Sequence, residues 1–467
     1  MALAMTHYPP MLRVFRHYVP ALLLATVAAD SVLVLAAMAA ARLFTPAAAP
    51  AFFWAQSAAM AGAVLFALYA AELYKTDLRI ARTAVLARLV AAIVAGAALA
   101  AAVGLAVPAF RLEPLTFLAV FGILGAGLLV WRGIWYPTGS REHLQERVLV
   151  LGVSGAAARI VELQSTGSRP FKVLGFVDNS LDAQDRLPAG AALLGKSSDL
   201  LGIVHDFAPD LVLVALADMR KSFPADELLE CRLRGIRVED WPTFHEKQTG
   251  KILLTDLRPS WLIFSDGFVK TSLERRLKRA LDLVLALGVF AVFLPVMAVV
   301  ALAIKLDSRG PVLFRQDRVG EHGRRFFINK FRSMRAEAER ESGPVWASPD
   351  DPRITRVGRL LRRTRLDELP QLFNVLVGDM SFVGPRPERP EFVRVLQQEI
   401  PFYLARLSVK PGVTGWAQVR HRYAASVEDT VEKLQYDFYY IKNMSPFLDF
   451  LVLLSTIQVV VFGRGCR

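Results

Sequence analysis

The chain has 467 residues, of which 54% are hydrophobic, and its mean hydropathy is +0.35. That length allows two to four units of roughly 100–200 residues, and the apolar excess excludes a string of ordinary soluble domains. Lys and Arg number 56 against 43 Asp and Glu, a formal charge of +13 that suits an anionic surface, a polyphosphate or nucleic acid. Cys231 and Cys466 are far apart and have no His pair of zinc-ligand spacing near them, so neither a disulfide framework nor a structural zinc is supported.

Four apolar runs, at about 19–42, 51–72, 83–107 and 115–135, are each near the ~20 residues that cross a bilayer. Because several runs follow one another, the first is not a cleaved signal peptide on a soluble protein. Arg13 and Arg16 precede the first run, and Lys75, Arg79 and Arg82 separate the second from the third. The other connections offer only Arg42 and Arg111, so the positive residues place the N-terminus, the middle loop and everything after the fourth helix in the cytoplasm. Asp30 and Arg88 either mark a polar path or form snorkelling or interhelical contacts.

From about 141 to 272 the pattern becomes strands at 147–151, 172–177 and 211–215 alternating with helical stretches, which predicts a parallel, Rossmann-like α/β module. The turn Gly152-Val153-Ser154-Gly155, with Asp178 closing the next strand, partly matches a dinucleotide-binding turn. Ser154 and Ala157 stand where further glycines belong, so a tight turn without cofactor is the competing reading. No Tyr occurs between 141 and 272, so a Tyr/Lys dyad cannot be built there, and the module reads as regulatory or scaffolding.

The apolar run at about 280–304 has Arg275, Arg276, Lys278 and Arg279 before it and Lys305, Arg309, Arg315 and Arg318 after it. Both ends are drawn to one side of the membrane, and Pro295 lies mid-run, so a re-entrant helix broken at Pro295 is expected, with a kinked span as the alternative. Val427, Val431, Leu434, Phe438 and Ile441 then recur at helical spacing, and residues 447–462 form an apolar stretch carrying Asp449. The stretch reads as an interfacial helix against anionic headgroups, or as a buried core helix.

Adjacent carboxylates stand among guanidinium groups in Arg362-Arg363-Thr364-Arg365-Leu366-Asp367-Glu368-Leu369-Pro370-Gln371. Pro370 suits a first helical turn, Gly378 a stop, and Leu369, Leu372, Phe373 and Leu376 a buried stripe, which puts Asp367 near the N-cap. A carboxylate there stays ionised and can act as a nucleophile. Its approach to a diphosphate meets like charge, about 4 kcal/mol per pair at ~4 Å and an effective dielectric of ~20. Lys330, Arg332, Arg362, Arg363 and Arg386 are the candidate phosphate binders, and Mg²⁺ held by carboxylates and substrate oxygens would offset the rest.

Five ordered motifs carry a resemblance: Pro311-Val312-Leu313-Phe314-Arg315-Gln316, Lys330-Phe331-Arg332-Ser333-Met334, Leu366-Asp367-Glu368-Leu369-Pro370-Gln371-Leu372-Phe373-Asn374-Val375-Leu376, Gly378-Asp379-Met380-Ser381-Phe382-Val383-Gly384-Pro385-Arg386-Pro387 and Lys410-Pro411-Gly412-Val413-Thr414-Gly415-Trp416. Together they make residues 273–467 resemble the bacterial sugar transferases, the polyprenyl-phosphate hexose-1-phosphate transferases. The full layout resembles the large multi-pass members, and residues 257–268 resemble an exosortase-linked exopolysaccharide branch. The resemblance implies a multi-pass α-helical membrane protein of the bacterial inner membrane. Residues 1–140 form four transmembrane helices, 141–272 a cytoplasmic Rossmann-like module, and 273–467 a mainly helical, membrane-associated catalytic domain with the re-entrant helix.

It further implies that Asp367 attacks the β-phosphorus of a UDP-sugar, releasing UMP, and that undecaprenyl phosphate takes the phosphosugar from the aspartyl intermediate to begin an exopolysaccharide repeat. The family's Asp-Glu pair maps onto Asp367 and Glu368, with Mg²⁺ as cofactor and both residues as its candidate ligands. Arg365 stands where many members carry Ser or Thr. The rival readings are a membrane-bound NAD-dependent dehydratase or epimerase and a non-enzymatic assembly scaffold. Nucleic acid is not an expected partner, since the basic residues lack interleaved aromatic platforms; a homodimer stays open.

Overall fold

A computed structural model describes residues 11–44, 53–74, 82–135, 145–166, 171–180, 182–216, 223–254, 265–335, 353–421 and 426–462. Packing divides the chain into two compact units, Met1–Leu12 with Tyr18–Thr249, and Arg13–His17 with Gly250–Arg467.

The first unit begins with α1 (Ala21–Phe44), α2 (Phe53–Ala70), α3 (Arg82–Ala106) and α4 (Pro114–Trp135), at the four expected apolar runs. Val34, Met38, Leu68, Leu89, Leu124 and Leu128 interlock between them, while Val32, Val94, Leu118 and Val130 face outward uncovered. Helices apolar on both faces belong in lipid. With a longer helix in the second unit, five helices among the described residues are long and apolar enough to cross a membrane. Asp30, fully buried, accepts hydrogen bonds from Arg132 Nη2 (2.6 Å) and Tyr74 Oη (2.8 Å), and Arg88 pairs with Glu72 at 3.5 Å. Both sequence-flagged charges are therefore in pairs between segments. The loop carrying Lys75 and Arg79 lies outside the described residues, as do Cys466 and most of 257–268.

The same unit continues with β1 (Glu146–Leu151), α5 (Ala157–Thr166), β2 (Phe171–Val177), β3 (Leu193–Gly195), α6 (Leu200–Phe207), β4 (Leu211–Val214), α7 (Ala225–Leu233), β5 (Arg237–Asp240) and α8 (Trp241–Thr249). The strands pair in parallel in the order β3-β2-β1-β4-β5. Central β1 buries Val148, Leu149, Val150 and Leu151 completely, which is why it reads as an unbroken apolar run. Gly152 has φ +103, and a Cβ there would come within 2.9 Å of Ala215 O, so the turn after β1 needs glycine. Asp178 accepts the Val153 N–H at 2.5 Å and the Ser180 N–H at 2.7 Å, bracing that turn from within the chain.

The second unit is built on α9 (Ser272–Asp307), started by a capping box between Thr271 and Glu274. Pro295 lies inside α9 and does not interrupt it, contrary to the break expected there. Its ring is exposed, and its missing N–H removes one backbone hydrogen bond from the helix. One side of α9, with Asp282, Ala286, Met297, Val300 and Ile304, is packed against the rest of the unit along almost its whole length. The other side leaves Leu277, Val284, Leu287, Val292, Val299 and Leu302 uncovered.

After α9 come the antiparallel pair β6 (Leu313–Val319) and β7 (Arg325–Phe331), then α10 (Arg356–Thr364), α11 (Gln371–Val377), β8 (Ser381–Val383), α12 (Pro390–Glu399), β9 (Gly412–Thr414, parallel to β8) and α13 (Trp416–Arg420). The chain closes with α14 (Val427–Asn443) and α15 (Pro446–Phe462). Leu434, Phe438, Tyr439, Tyr440 and Ile441 make α14 the centre of the core rather than an edge. α15 combines both sequence readings: Leu448 and Val452 are buried, whereas Phe450, Ile457 and Val460 are uncovered. Asp449 points into the core, 2.8 Å from Lys278 Nζ and hydrogen-bonded by Tyr440.

Candidate active site

Asp367 and Glu368 lie in a 3₁₀ turn, Leu366–Glu368, between α10 and α11. The sequence placed Asp367 near the N-cap of the next helix; it lies in the turn just ahead of it, Pro370 holds the N-cap of α11, and Gly378 closes that helix in the left-handed region as expected. The turn arises because Arg365 ends α10 at φ 58, reversing the chain under β7. α10 is itself seated by Gly358, whose ideal Cβ would fall 2.0 Å from Ser333 O, so no other residue allows this approach.

Lys330 at the end of β7 and Arg386 in the loop after β8 both donate to Glu368 Oε1, each at 3.0 Å. Burial opposes ionisation of Glu368, but Lys330 and Arg386 outweigh it and hold the carboxyl well below the ordinary range. Burial likewise lowers the Lys330 ammonium, against the pull of Glu368. Asp367 is shifted the other way. Burial raises its carboxyl, the charge of Glu368 raises it further, and Lys330, Arg365 and Arg362 only partly offset this. Asp367 is 8% exposed and its Oδ1 is buried with no hydrogen-bond partner among the described residues. The site thus pairs a clamped anion with a second carboxylate kept open and short of stabilising contacts, and environments that push two carboxyls apart in this way separate their roles.

Of the other expected residues, Arg362 donates to Ser333 Oγ at 2.9 Å and lies near enough to act on Asp367. Arg363 is exposed on the last turn of α10. Arg332 turns elsewhere: Nη2 donates to Ser308 O and Oγ, both at 2.8 Å, tying β7 to the end of α9. Neighbours in sequence on a strand point to opposite faces, so Lys330 and Arg332 share a face only if the strand runs on, and β7 ends at Phe331.

Three supports escaped the sequence reading. Asn374 of α11 accepts the Asn329 N–H at 3.0 Å and donates to Phe327 O at 2.8 Å, fixing the helix after the dyad to the strand that carries Lys330. Arg279 and Lys410 donate to the last carbonyls of α11 and to Gly378 O. Arg406, buried, donates to Arg386 O at 2.9 Å and pairs with Asp437 at 2.9 Å. A polar Asn374 in the middle of the apolar run from Leu372 to Val377 was the available signal; the other contacts span too much sequence to be read.

A metal would find Asp367 Oδ1 without a donor among the described residues and the carboxylate of Glu368 beside it. No group of three or more His, Cys, Asp or Glu side chains occurs among the described residues, so the protein alone does not complete a coordination shell. Two carboxylates completed by substrate oxygens and water fit Mg²⁺, which is bound in that way.

Residues 273–463 match the family model for the bacterial sugar transferases. The chain is 43% identical over 267 residues to a UDP-N-acetylgalactosamine-undecaprenyl-phosphate N-acetylgalactosaminephosphotransferase from Aeromonas hydrophila, covering 56% of this chain and 62% of that one. It is 46% identical over 184 residues to a UDP-glucose:undecaprenyl-phosphate glucose-1-phosphate transferase from Caulobacter vibrioides, covering 38% of this chain and 68% of the relative. An exopolysaccharide production protein, PSS, from Rhizobium leguminosarum bv. phaseoli is 41% identical over 195 residues, 40% of this chain and 98% of its own. The chain belongs to the bacterial sugar transferase family. It spans about three fifths of the Aeromonas relative's length. Every residue of the dyad and its clamps lies within the span matched to the sugar transferase family, whereas α1–α4 and the parallel sheet precede it.

Proposed function

We propose that this protein transfers hexose-1-phosphate from a UDP-sugar to undecaprenyl phosphate, releasing UMP and starting an exopolysaccharide repeat unit. The observation that carries the reading is the pair of opposed carboxylates: Asp367 with an unpartnered buried oxygen, beside Glu368 clamped by Lys330 and Arg386. The names of the relatives support the two substrates.

In this reading a carboxylate oxygen of Asp367 forms a bond to the β-phosphorus and the bond from that phosphorus to the UMP oxygen breaks. An oxygen of the acceptor phosphate then attacks the same phosphorus, giving the diphosphate-linked sugar and returning Asp367 as a carboxylate. A carboxylate that burial makes basic is the better nucleophile once ionised. Lys330 and Arg386 meet the negative charge that develops on the phosphoryl oxygens, and Arg362 adds to the positive field. Glu368 keeps the two cations oriented before substrate arrives. Mg²⁺ bound by Asp367 and Glu368 would supply charge neutralisation on the diphosphate.

The sheet order β3-β2-β1-β4-β5 supports a Rossmann-like module whose glycine turn is braced by Asp178. The packing of α9 against one domain from Asp282 to Ile304, with an apolar outer stripe, supports an unbroken helix that lies with that stripe in one leaflet and keeps both of its ends on one side. The flanking cations support the cytoplasmic face of a bacterial inner membrane as that side. The test is UMP release by nanodisc-held protein given Mg²⁺, undecaprenyl phosphate and a panel of UDP-sugars. UMP from one sugar, absent in Asp367→Asn, supports the reading; no UMP from any sugar with folded protein moves it to an assembly scaffold.

A further inference from the structure

At the start of α9, Ser272, Arg275, Arg276, Arg279, Ala280 and Leu283 line a shallow, open concavity of about 510 Å³. Ser272, Arg276, Arg279 and Leu283 recur at helical spacing, so they form one row. That row lies on the shoulder between the packed side of α9 at Asp282 and Ala286 and its uncovered stripe at Leu273, Leu277, Val284 and Leu287. The three arginines are not equivalent. Arg279 is committed to the carbonyls of Val375 and Leu376, at 2.5 and 2.8 Å. Arg275 and Arg276 are exposed, and among the described residues neither guanidinium has a hydrogen bond or ion pair. Two uncompensated cations beside one fixed cation, directly above an apolar stripe, match an anion that is attached to hydrocarbon.

We propose that this concavity is a binding site for the phosphodiester headgroup of an anionic membrane phospholipid, with acyl chains running along Leu277, Leu283 and Leu287. Guanidinium forks suit the phosphate oxygens, and basic pockets at the cytoplasmic end of membrane segments hold anionic headgroups. The reacting acceptor phosphate is a poorer occupant. Arg279 touches the carbonyl end of α11, whereas Asp367 precedes its other end, and seven helical residues rise about 10 Å. A phosphate in the concavity is therefore held away from the dyad, and the site holds the catalytic domain at the depth and tilt at which the dyad meets its lipid substrate. The inference rests on α9 meeting the bilayer, as argued above.

The test uses the full chain in detergent micelles, titrated with phosphatidylglycerol or phosphatidylcholine and read by native mass spectrometry, with transfer rates measured in nanodiscs of the same lipids. Phosphatidylglycerol should bind in preference. Arg275→Gln/Arg276→Gln should weaken that binding roughly tenfold or more, while Arg275→Lys/Arg276→Lys should restore most of it, since each charge near an anionic lipid contributes separately. In nanodiscs the Gln pair should lose the rate increase given by phosphatidylglycerol and keep its rate in pure phosphatidylcholine. Equal phosphatidylglycerol binding by wild type and the Gln pair would overturn the proposal. So would a raised KM for undecaprenyl phosphate in pure phosphatidylcholine, which would assign the concavity to the acceptor. Lipid binding is read without turnover, so its outcome stands apart from that of the transferase reading.

Discussion

Arg386 Nη2 lies 3.0 Å from Glu368 Oε1, joining the loop after β8 to the turn that carries Asp367. A cation fixed on a carboxylate is oriented before substrate binds, and such preorganised charge is worth about 2.7–4 kcal/mol when it meets a developing negative charge. Arg386→Gln should therefore lower kcat/KM about 10²–10³-fold. Arg386→Lys, which keeps the charge and loses the fork, should fall between the two. Steady-state rates of UMP release check the order.

The pH dependence follows from the opposed carboxyls. Asp367 is raised by burial and by Glu368, so the acid limb of kcat/KM should lie above the range of an ordinary Asp. Lys330→Gln removes a charge that lowers Asp367 and should move the limb to still higher pH.

Stability should run the opposite way to activity at Asp367. A raised folded pKa means that stability is complete below the unfolded pKa of ~3.9 and falls as pH rises through the folded value. Asp367→Asn, which the proposed mechanism requires to be inactive, should thus be more heat-stable at pH 7, by about 2–4 °C for each kcal/mol relieved, with the gap closing toward pH 4. Glu368 has a lowered carboxyl, so its contribution is present above about pH 4.3 and is lost on acidification below that. Thermal melts at both pH values check the pair.

Arg332 separates the structural account from the sequence reading. Its guanidinium is buried on Ser308, not on the dyad. Arg332→Gln should lower the melting temperature and leave KM for the UDP-sugar unchanged, whereas a phosphate-binding Arg332 would raise KM.

Much of the architecture was legible because long apolar runs and a strand-helix alternation are one-dimensional signals. α1–α4, β1, β2 and β4 fall where composition put them. β3 is three residues long and β5 four, the latter mostly polar, so both are too short to show a period. The dyad was legible as a motif, but its conformation was not. Pro370 suits a first helical turn equally from N-cap or N1, and only the left-handed Arg365 decides that Asp367 sits in a 3₁₀ turn. The break expected at Pro295 failed because one lost hydrogen bond is a local cost, and the turns on both sides, packed through Ala286, Met297, Val300 and Ile304, carry the helix across it.

Arg406 and Asp437 illustrate contacts that no local pattern reveals. Their 2.9 Å pair is buried and holds the backbone of Arg386 from below. Arg406→Met leaves Asp437 buried without its cation and should cost about 3–5 kcal/mol of stability. Combining it with Asp437→Leu should recover much of that loss in a denaturation assay while kcat stays low, because Arg386 is no longer held.

The measurement that bears most directly on the central claim is a reaction with the sugar donor and Mg²⁺ but no lipid acceptor, quenched in acid and followed by mass spectrometry of the peptide containing Asp367. The account predicts a UMP burst of about one equivalent per site and a hexose-phosphate adduct on Asp367 that disappears when undecaprenyl phosphate is added. UMP formed only in the presence of acceptor, with no adduct at any time, would contradict it and indicate direct transfer between the two substrates.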